Sequence, residues 1–247
     1  MLASVLLAIS PNLFSGLKYR EIGPAIAGGR VTAVAGSDRS SHLYFVGGAG
    51  GGVFKTTDGG ASWFPVFDRE PVAPIGAIAI APHDDREIWV GTGESNPRND
   101  VEAGDGIYHS TNGGKSWQHA GLAASAHISS ITIDPRNRRD VAVGVLGRVS
   151  ADDSHRGVYV TSDGGAHWQR TLFAGPSSGV SSLVRVPDRP STLFAGVWQI
   201  RRTPWRLDSG GPRGGLYRSD DNGRTWRRLS GKGLPVGLTG RIGAAAG

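Results

Sequence analysis

The sequence predicts an all-β chain: a β-propeller of four-stranded antiparallel blades, with four blades and the first strand of a fifth. Three observations carry that expectation. A twelve-residue segment recurs four times, 51 to 58 residues apart, and tandem similarity near that period indicates stacked units. The apolar residues fall in short runs rich in Val, Ile and aromatics, broken by Gly, Pro, Asp or Asn, which read as strands. No apolar pattern of helical period is sustained, so helices should be nearly absent. Glycine accounts for 39 of 247 residues, about twice the usual ~7%, without the three-residue period of collagen.

Each unit opens with a run at 31–35, 75–80, 128–133 or 180–186 and continues with one at 43–46, 88–90, 141–145 or 193–197. The recurring segment follows. It reads Gly52-Val-Phe-Lys-Thr-Thr-Asp-Gly-Gly-Ala-Ser-Trp63, then Gly106-Ile-Tyr-His-Ser-Thr-Asn-Gly-Gly-Lys-Ser-Trp117. Its later copies are Gly157-Val-Tyr-Val-Thr-Ser-Asp-Gly-Gly-Ala-His-Trp168 and Gly215-Leu-Tyr-Arg-Ser-Asp-Asp-Asn-Gly-Arg-Thr-Trp226. Its Gly-apolar-aromatic start supplies a third strand and its Trp begins a fourth. Four strands per unit of about 50 residues is the measure of a propeller blade. The blades are expected at about 29–67, 75–122, 127–173 and 179–230.

Between the third and fourth strands the chain must reverse. Gly59, Gly113, Gly164 and Gly223 sit in or beside a turn that needs positive φ. Asp58, Asn112, Asp163 and Asp221 precede them and accept hydrogen bonds from turn amides. Trp63, Trp117, Trp168 and Trp226 cover the turn from one side. These eight residues are expected to be structural, because a catalyst is needed once and a hairpin staple in every blade.

The ends extend the pattern. Residues 240–247 repeat 29–36, so a fifth first strand begins there, and 17–22 resembles the outer strand of a last blade. The chain is therefore expected to be an N-terminal arc of a longer propeller whose remaining blades are its partners. Residues 1–16 read either as a clipped leader, apolar with small residues at Ala8 and Ser10 but lacking the usual positive start, or as an ordinary buried segment. The leader reading implies export to the periplasm or beyond. No run of ~18 apolar residues occurs, so no membrane span is expected.

Composition removes several function classes. Cysteine is absent, which excludes disulfide scaffolds and Cys-ligated metals. The seven histidines are scattered, and Asp152-Asp153 and Asp220-Asp221 lack the spacing of a calcium loop, so no metal is expected. Phosphate-cradling and dinucleotide glycine motifs are missing, as is the Gly-x-Ser-x-Gly elbow; no cofactor is expected. The net charge is +6, but it is segregated. Residues 84–105 hold seven acids and two bases, and 201–228 hold eight arginines and three aspartates. That fits a polar binding rim better than a nucleic-acid stripe, and no nucleic acid is expected.

Loops between second and third strands should open on one face and the Asp-bearing turns on the other. Long segments on the former face are the functional clue: 92–105, 147–156 and 198–214. They supply Glu94, Arg98, Asn99, Arg148, Arg201, Arg202, Trp205 and Arg206 as candidate ligand-binding residues. Arginine and tryptophan together suit carboxylates, sugar faces or peptide termini. The alternative is that Glu94 and Arg98 pair with Arg201 or Arg202 across the rim and merely fix the loops.

The motif Ser/Thr-x-Asp-x-Gly-x-Thr/Ser-Trp resembles the Asp-box, or BNR repeat, of sialidases, xyloglucanase-type glycoside hydrolases, the sortilin ectodomain and a photosystem assembly factor. Residues 17–247 also resemble the N-terminal part of large exported bacterial BNR proteins called sortilin-like or glycosyl hydrolase. That likeness rests on Tyr19-Arg-Glu-Ile-Gly-Pro24, Gly28-Gly-Arg-Val31, Gly91-Thr-Gly-Glu-Ser-Asn96 and Trp198-Gln-Ile-Arg-Arg-Thr-Pro-Trp205. The resemblance implies fold strongly and function weakly. In xyloglucanase-type enzymes an early Thr-Asp-x-Gly-Gly stretch supplies a catalytic Asp; Ala49 stands at that place here, which leaves a carboxylate pair incomplete. The Arg-Ile-Pro tripeptide of sialidases does not occur. The resemblance thus implies a module that binds peptide, protein or carbohydrate. The alternatives are a glycoside hydrolase whose carboxylates lie mostly outside this chain, and an assembly factor.

Overall fold

The computed structural model describes residues 30–99, 101–231 and 233–246; the expectations for a leader at 1–16 and an outer strand at 17–22 lie outside them. Blade one consists of β1 (Val31–Gly36), β2 (Tyr44–Gly48), β3 (Val53–Thr56) and β4 (Phe64–Pro65). Blade two holds β5 (Ile75–Ala81), β6 (Asp84–Thr92), β7 (Ile107–Ser110) and β8 (Gln118–His119). Blade three holds β9 (Ile128–Asp134), β10 (Asn137–Val145), β11 (Gly157–Thr161) and β12 (Gln169–Leu172). Blade four contains β13 (Ser178–Val186), β14 (Arg189–Thr203), β15 (Arg206–Ser209), β16 (Gly215–Ser219) and β17 (Arg227–Arg228), with β15 pairing the far end of β14 off the main sheet. Strands pair antiparallel in chain order, as short connections between β-branched runs require. A single 3-10 turn at Ala123–Ser125 is the only helical segment among the described residues.

First strands lie side by side, β1 against β5, β5 against β9, and β9 against β13. Each second strand faces the first strand of the next blade. At that junction the second strand carries a glycine. A Cβ on Gly47 would collide with Ile75, on Gly91 with Ile128, and on Gly144 with Val180. The missing side chain lets a β-branched residue reach the neighbouring backbone, and each such burial contributes about 1.5–3 kcal/mol. A hydroxyl reinforces two of these junctions: Thr32 Oγ1 reaches Ile75 O at 2.5 Å, and Ser129 Oγ reaches Val180 O at 2.6 Å. In blade two the corresponding residue is Gly76, where a Cβ would run into the carbonyls of Ile128 and Gly93.

The recurring turn has the same wiring in every blade. Thr56, Ser110, Thr161 and Ser219 donate their hydroxyls to Asp58, Asn112, Asp163 and Asp221 at 2.7 to 3.0 Å. The same hydroxyls accept the amides of Gly60, Gly114, Gly165 and Gly223. Gly59, Gly113, Gly164 and Gly223 have φ of +73, +76, +75 and +82°, a region open to glycine. Hydrogen bonds from the Ser62 hydroxyl and amide and from Thr56 hold the Asp58 carboxyl far below the ordinary carboxylate range. Trp63, Trp117 and Trp226 lie against the turn glycines Gly60, Gly114 and Gly223, while Gly165 faces Trp89; three of the four box tryptophans also reach backward. Trp117 Nε1 donates to Val66 O and Trp168 Nε1 to Ala120 O, both at 2.7 Å, while Trp226 Nε1 reaches Thr171 Oγ1 at 3.1 Å. Each ring thereby ties its blade to the outer strand of the one before. Trp63, in blade one, remains 41% exposed, as do Val31, Val34 and Phe64 on the same blade to a greater degree.

Past blade four, the segment expected to begin a fifth blade lies outside any assigned strand yet occupies a first strand's place. Ile242 O accepts from Ser181 Oγ at 2.9 Å, and Ala244 N donates to Ser182 Oγ at 3.1 Å. Gly196 of β14 makes room for Ile242 as Gly144 does for Val180.

The junction makes a specific prediction. Gly91→Ala should destabilise the chain by about 1–3 kcal/mol through overpacking, read from the urea midpoint. Combined with Ile128→Ala, whose own cost is about 2–5 kcal/mol, the pair should be less destabilising than the sum of its parts. Additive effects would mean that the two residues do not share one space.

Candidate functional site

Three upper-face segments meet above blades two to four: the β6–β7 connection (93–106), the β10–β11 connection (146–156) and the β14–β15 hairpin. Their floor is a small apolar cluster of Leu146, Val149, Trp198 and Ile200, with Val101 packed against it. The sequence reading placed a loop at 198–214. The structure instead continues β14 to Thr203 and returns through β15, pairing Arg201 with Asp208 and Thr203 with Arg206 around a turn at Pro204-Trp205. Alternation explains it: Trp198 and Ile200 point into the cluster while Gln199 and Arg201 point out. The hairpin is pinned by Arg202 N donating to Val149 O at 2.8 Å and Trp198 Nε1 donating to Ser209 Oγ at 3.0 Å.

Between these segments lies a cleft of about 350 Å³. Arg98 and Asn99 line it from blade two, Arg148 and Ser150 from blade three, and Arg202 and Pro204 from blade four, with His127 behind. Arg202 Nε donates to the Arg98 carbonyl at 3.2 Å, so these two segments do touch. Arg201 is engaged elsewhere, at 2.6 Å from Asp152. Trp205 is 85% exposed at the hairpin tip, and Arg206 there pairs with Asp208 at 2.6 Å.

The described acids of the β6–β7 connection turn away from this cleft. Glu94 is buried and pairs with Arg30 of blade one, so its partner is neither Arg201 nor Arg202. Glu102 approaches Gly50 of blade one. Asp105 accepts from Tyr108 Oη at 2.8 Å. Blade two therefore contributes Arg98 and Asn99 to the cleft, and Glu94 and Glu102 of the same connection face blade one.

Beneath the lip sit two polar residues that the sequence reading did not select. Arg156 is fully buried, and its Nη2 donates to Ala151 O at 3.2 Å and to Arg148 O. Burial lowers its pKa to about 10, so it stays a cation at neutral pH. His127 is 3% exposed, and its Nδ1 has no hydrogen-bond partner among the described residues. Burial foremost, then the nearby Arg156 charge, lowers its pKa to about 4. Asp153 shores up the loop by accepting the Arg148 amide at 2.7 Å and the His155 amide at 2.8 Å. Aligning the repeats carries a signal for His127. The residue before each first strand's branched side chain is Arg30, Pro74, His127, Gly179 and Arg241, a variable position beside invariant architecture.

Neutral His127 links the site to pH. Its folded pKa lies below the unfolded value of ~6.5, so the unfolded chain binds more protons between the two. The stability it contributes is full above pH ~6.5 and is lost as pH falls toward 4. Between pH 7 and 4.5 the chain should lose about 2–3 kcal/mol from this group, measured by urea unfolding. In His127→Gln that slope should disappear; an unchanged slope would place the titration elsewhere.

The BNR/Asp-box repeat signature matches residues 108–119 and 217–228. A xyloglucanase from a Paenibacillus species is 27% identical over 180 residues, covering 71% of this chain and 14% of that protein. Among solved structures, an ancestral GH74 enzyme matches with TM-score 0.60 and 23% identity, over 83% of this chain and 24% of its own. The GH74 xyloglucanase from Xanthomonas campestris matches with TM-score 0.59 and 17% identity, over 85% and 32%. The extracellular domain of a one-component system protein from B. thetaiotaomicron matches with TM-score 0.52 and 14% identity, over 85% and 23%. The chain thus spans less than a third of the length of each of these proteins. No helix among the described residues is long and apolar enough to cross a membrane. The repeats, the wired turns and these likenesses agree: the chain folds as four β-propeller blades, and the turns of blades two and four match the BNR/Asp-box repeat.

Proposed function

We propose that the chain is a ligand-binding arc of an exported BNR β-propeller protein, and that its ligand, a carbohydrate or a protein segment, sits in the cleft above blades two to four. The observation that carries this reading is the cleft's lining: arginines, an amide, hydroxyls and small apolar side chains, with no carboxylate among the described residues. Glycoside hydrolysis by the usual routes needs two carboxyl groups facing one another across the bond. Here the neighbouring Asp152 and Asp153 are engaged with Arg201 and with the Arg148 and His155 amides. Likeness to extracellular domains supports export. The remaining blades of a longer propeller are the intramolecular partners, seated on the exposed Val31, Val34 and Trp63 side of blade one. A second reading follows from the Paenibacillus xyloglucanase: a hydrolase whose catalytic carboxylates come from blades outside this chain.

Titration with xyloglucan oligosaccharides and short peptides, followed by tryptophan fluorescence and by reducing-sugar release, tests the binding reading. Saturable quenching without sugar release is expected. Sugar release that disappears in Asp152→Asn would overturn the binding reading, and an unresponsive fluorescence signal across both panels would remove the cleft as its site.

A further inference from the structure

The cleft is cationic, with arginines set among small apolar side chains. Arg98, Arg148 and Arg202 line it, and buried Arg156 adds a fourth guanidinium beneath its lip. Among the described residues no carboxylate pairs with Arg98, Arg148 or Arg202: Arg30 engages Glu94 and Arg201 engages Asp152, while Asp153 accepts the Arg148 amide and balances the charge of Arg156. Three guanidiniums without a carboxylate partner in a concave site concentrate anions and bind planar oxyanions through forked donors.

The remaining lining distinguishes among anionic ligands. Asn99 and Ser150 offer an amide and a hydroxyl at the cleft wall, and His127 brings an unpartnered buried nitrogen behind it. Apolar lining is confined to the small aliphatic side chains of Val101, Ala103, Val149 and Pro204. A peptide anchored by side chains calls for a deeper apolar pocket. Trp205, next to Pro204 at the lip, holds its indole 85% open to solvent. An exposed indole beside closely spaced amide, hydroxyl and guanidinium groups matches a ring that is flat and apolar on one face and ringed by hydroxyls.

Building on the binding reading above, we propose that the cleft takes an acidic saccharide, a uronate-bearing oligosaccharide whose carboxylate lies between Arg148 and Arg202 and whose ring face rests on Trp205. Arg98 adds to the cationic field, and Asn99 and Ser150 bond ring hydroxyls.

The test is calorimetric titration of the chain with oligogalacturonate, with its methyl ester, with a neutral xyloglucan oligosaccharide and with a glutamate-rich peptide. Oligogalacturonate should bind, and methyl esterification should weaken it by about tenfold or more, the worth of one charge-assisted pair. Arg148→Gln and Arg202→Gln should each cost a similar factor. Trp205→Ala should cost several-fold without moving the melting temperature, because its side chain is exposed; that variant separates ligand contact from fold. Affinity should fall as salt rises. Equal affinity for the acid and its ester, or indifference to both arginine variants, overturns the proposal. Preference for the neutral oligosaccharide or the peptide, lost in Arg148→Gln, overturns the acidic saccharide and leaves the binding reading standing. Silence from all four probes overturns both.

Discussion

A glycine on each second strand receives the branched side chain that opens the next blade's first strand, and the rest of the molecule is arranged around that contact. Gly47 takes Ile75, Gly91 takes Ile128, Gly144 takes Val180, and Gly196 takes Ile242. A four-stranded blade buries little by itself. Its core lies at the junction, where Phe45, Phe67, Ile75 and Val90 pack together between blades one and two, and Val158, Val180 and Leu193 between blades three and four. The Trp117 and Trp168 hydrogen bonds to the preceding blade tie the outer edge of the same junctions. Stability in such an array is a sum over neighbours rather than over blades.

Because the junctions and box turns repeat, the upper face is free to vary. Blade one spends a short connection there, whereas blades two, three and four send up the segments that make the cleft. The site is thus assembled from non-repeating residues on repeating supports: Arg98 beyond β6, Arg148 beyond β10, Arg202 at the end of β14. The long β14–β15 hairpin carries Trp205 out to solvent, and the apolar cluster of Leu146, Val149, Trp198 and Ile200 fixes its base.

The repeating part of this design was legible in the sequence. Four copies of one segment gave the blades, the turn glycines with positive φ and the wired Asp or Asn of each box. The backward reach of Trp117 was not, because a contact between blades leaves no local pattern. The upper face was legible in composition and less so in geometry. Arg98, Asn99, Arg148 and Arg202 do meet, but Glu94 turns inward to Arg30, a choice made by packing that charge counts cannot show. The β14 extension was hidden because its outward positions are arginines, which dilute the alternation of Trp198 and Ile200. His127 and Arg156 escaped because buried polar residues carry no periodic signature; only the comparison of one blade with the next exposes the former.

Blades are joined at the second-strand glycine and its adjoining hydroxyl, so that a local cut at one junction loosens two blades. Amide hydrogen exchange in Ser129→Ala tests it most directly, since that hydroxyl reaches from blade three to Val180 O of blade four. Exchange should quicken in both β10 and β13 while β2 and β3 of blade one keep their protection. Faster exchange confined to blade three, with β13 unchanged, would contradict the account.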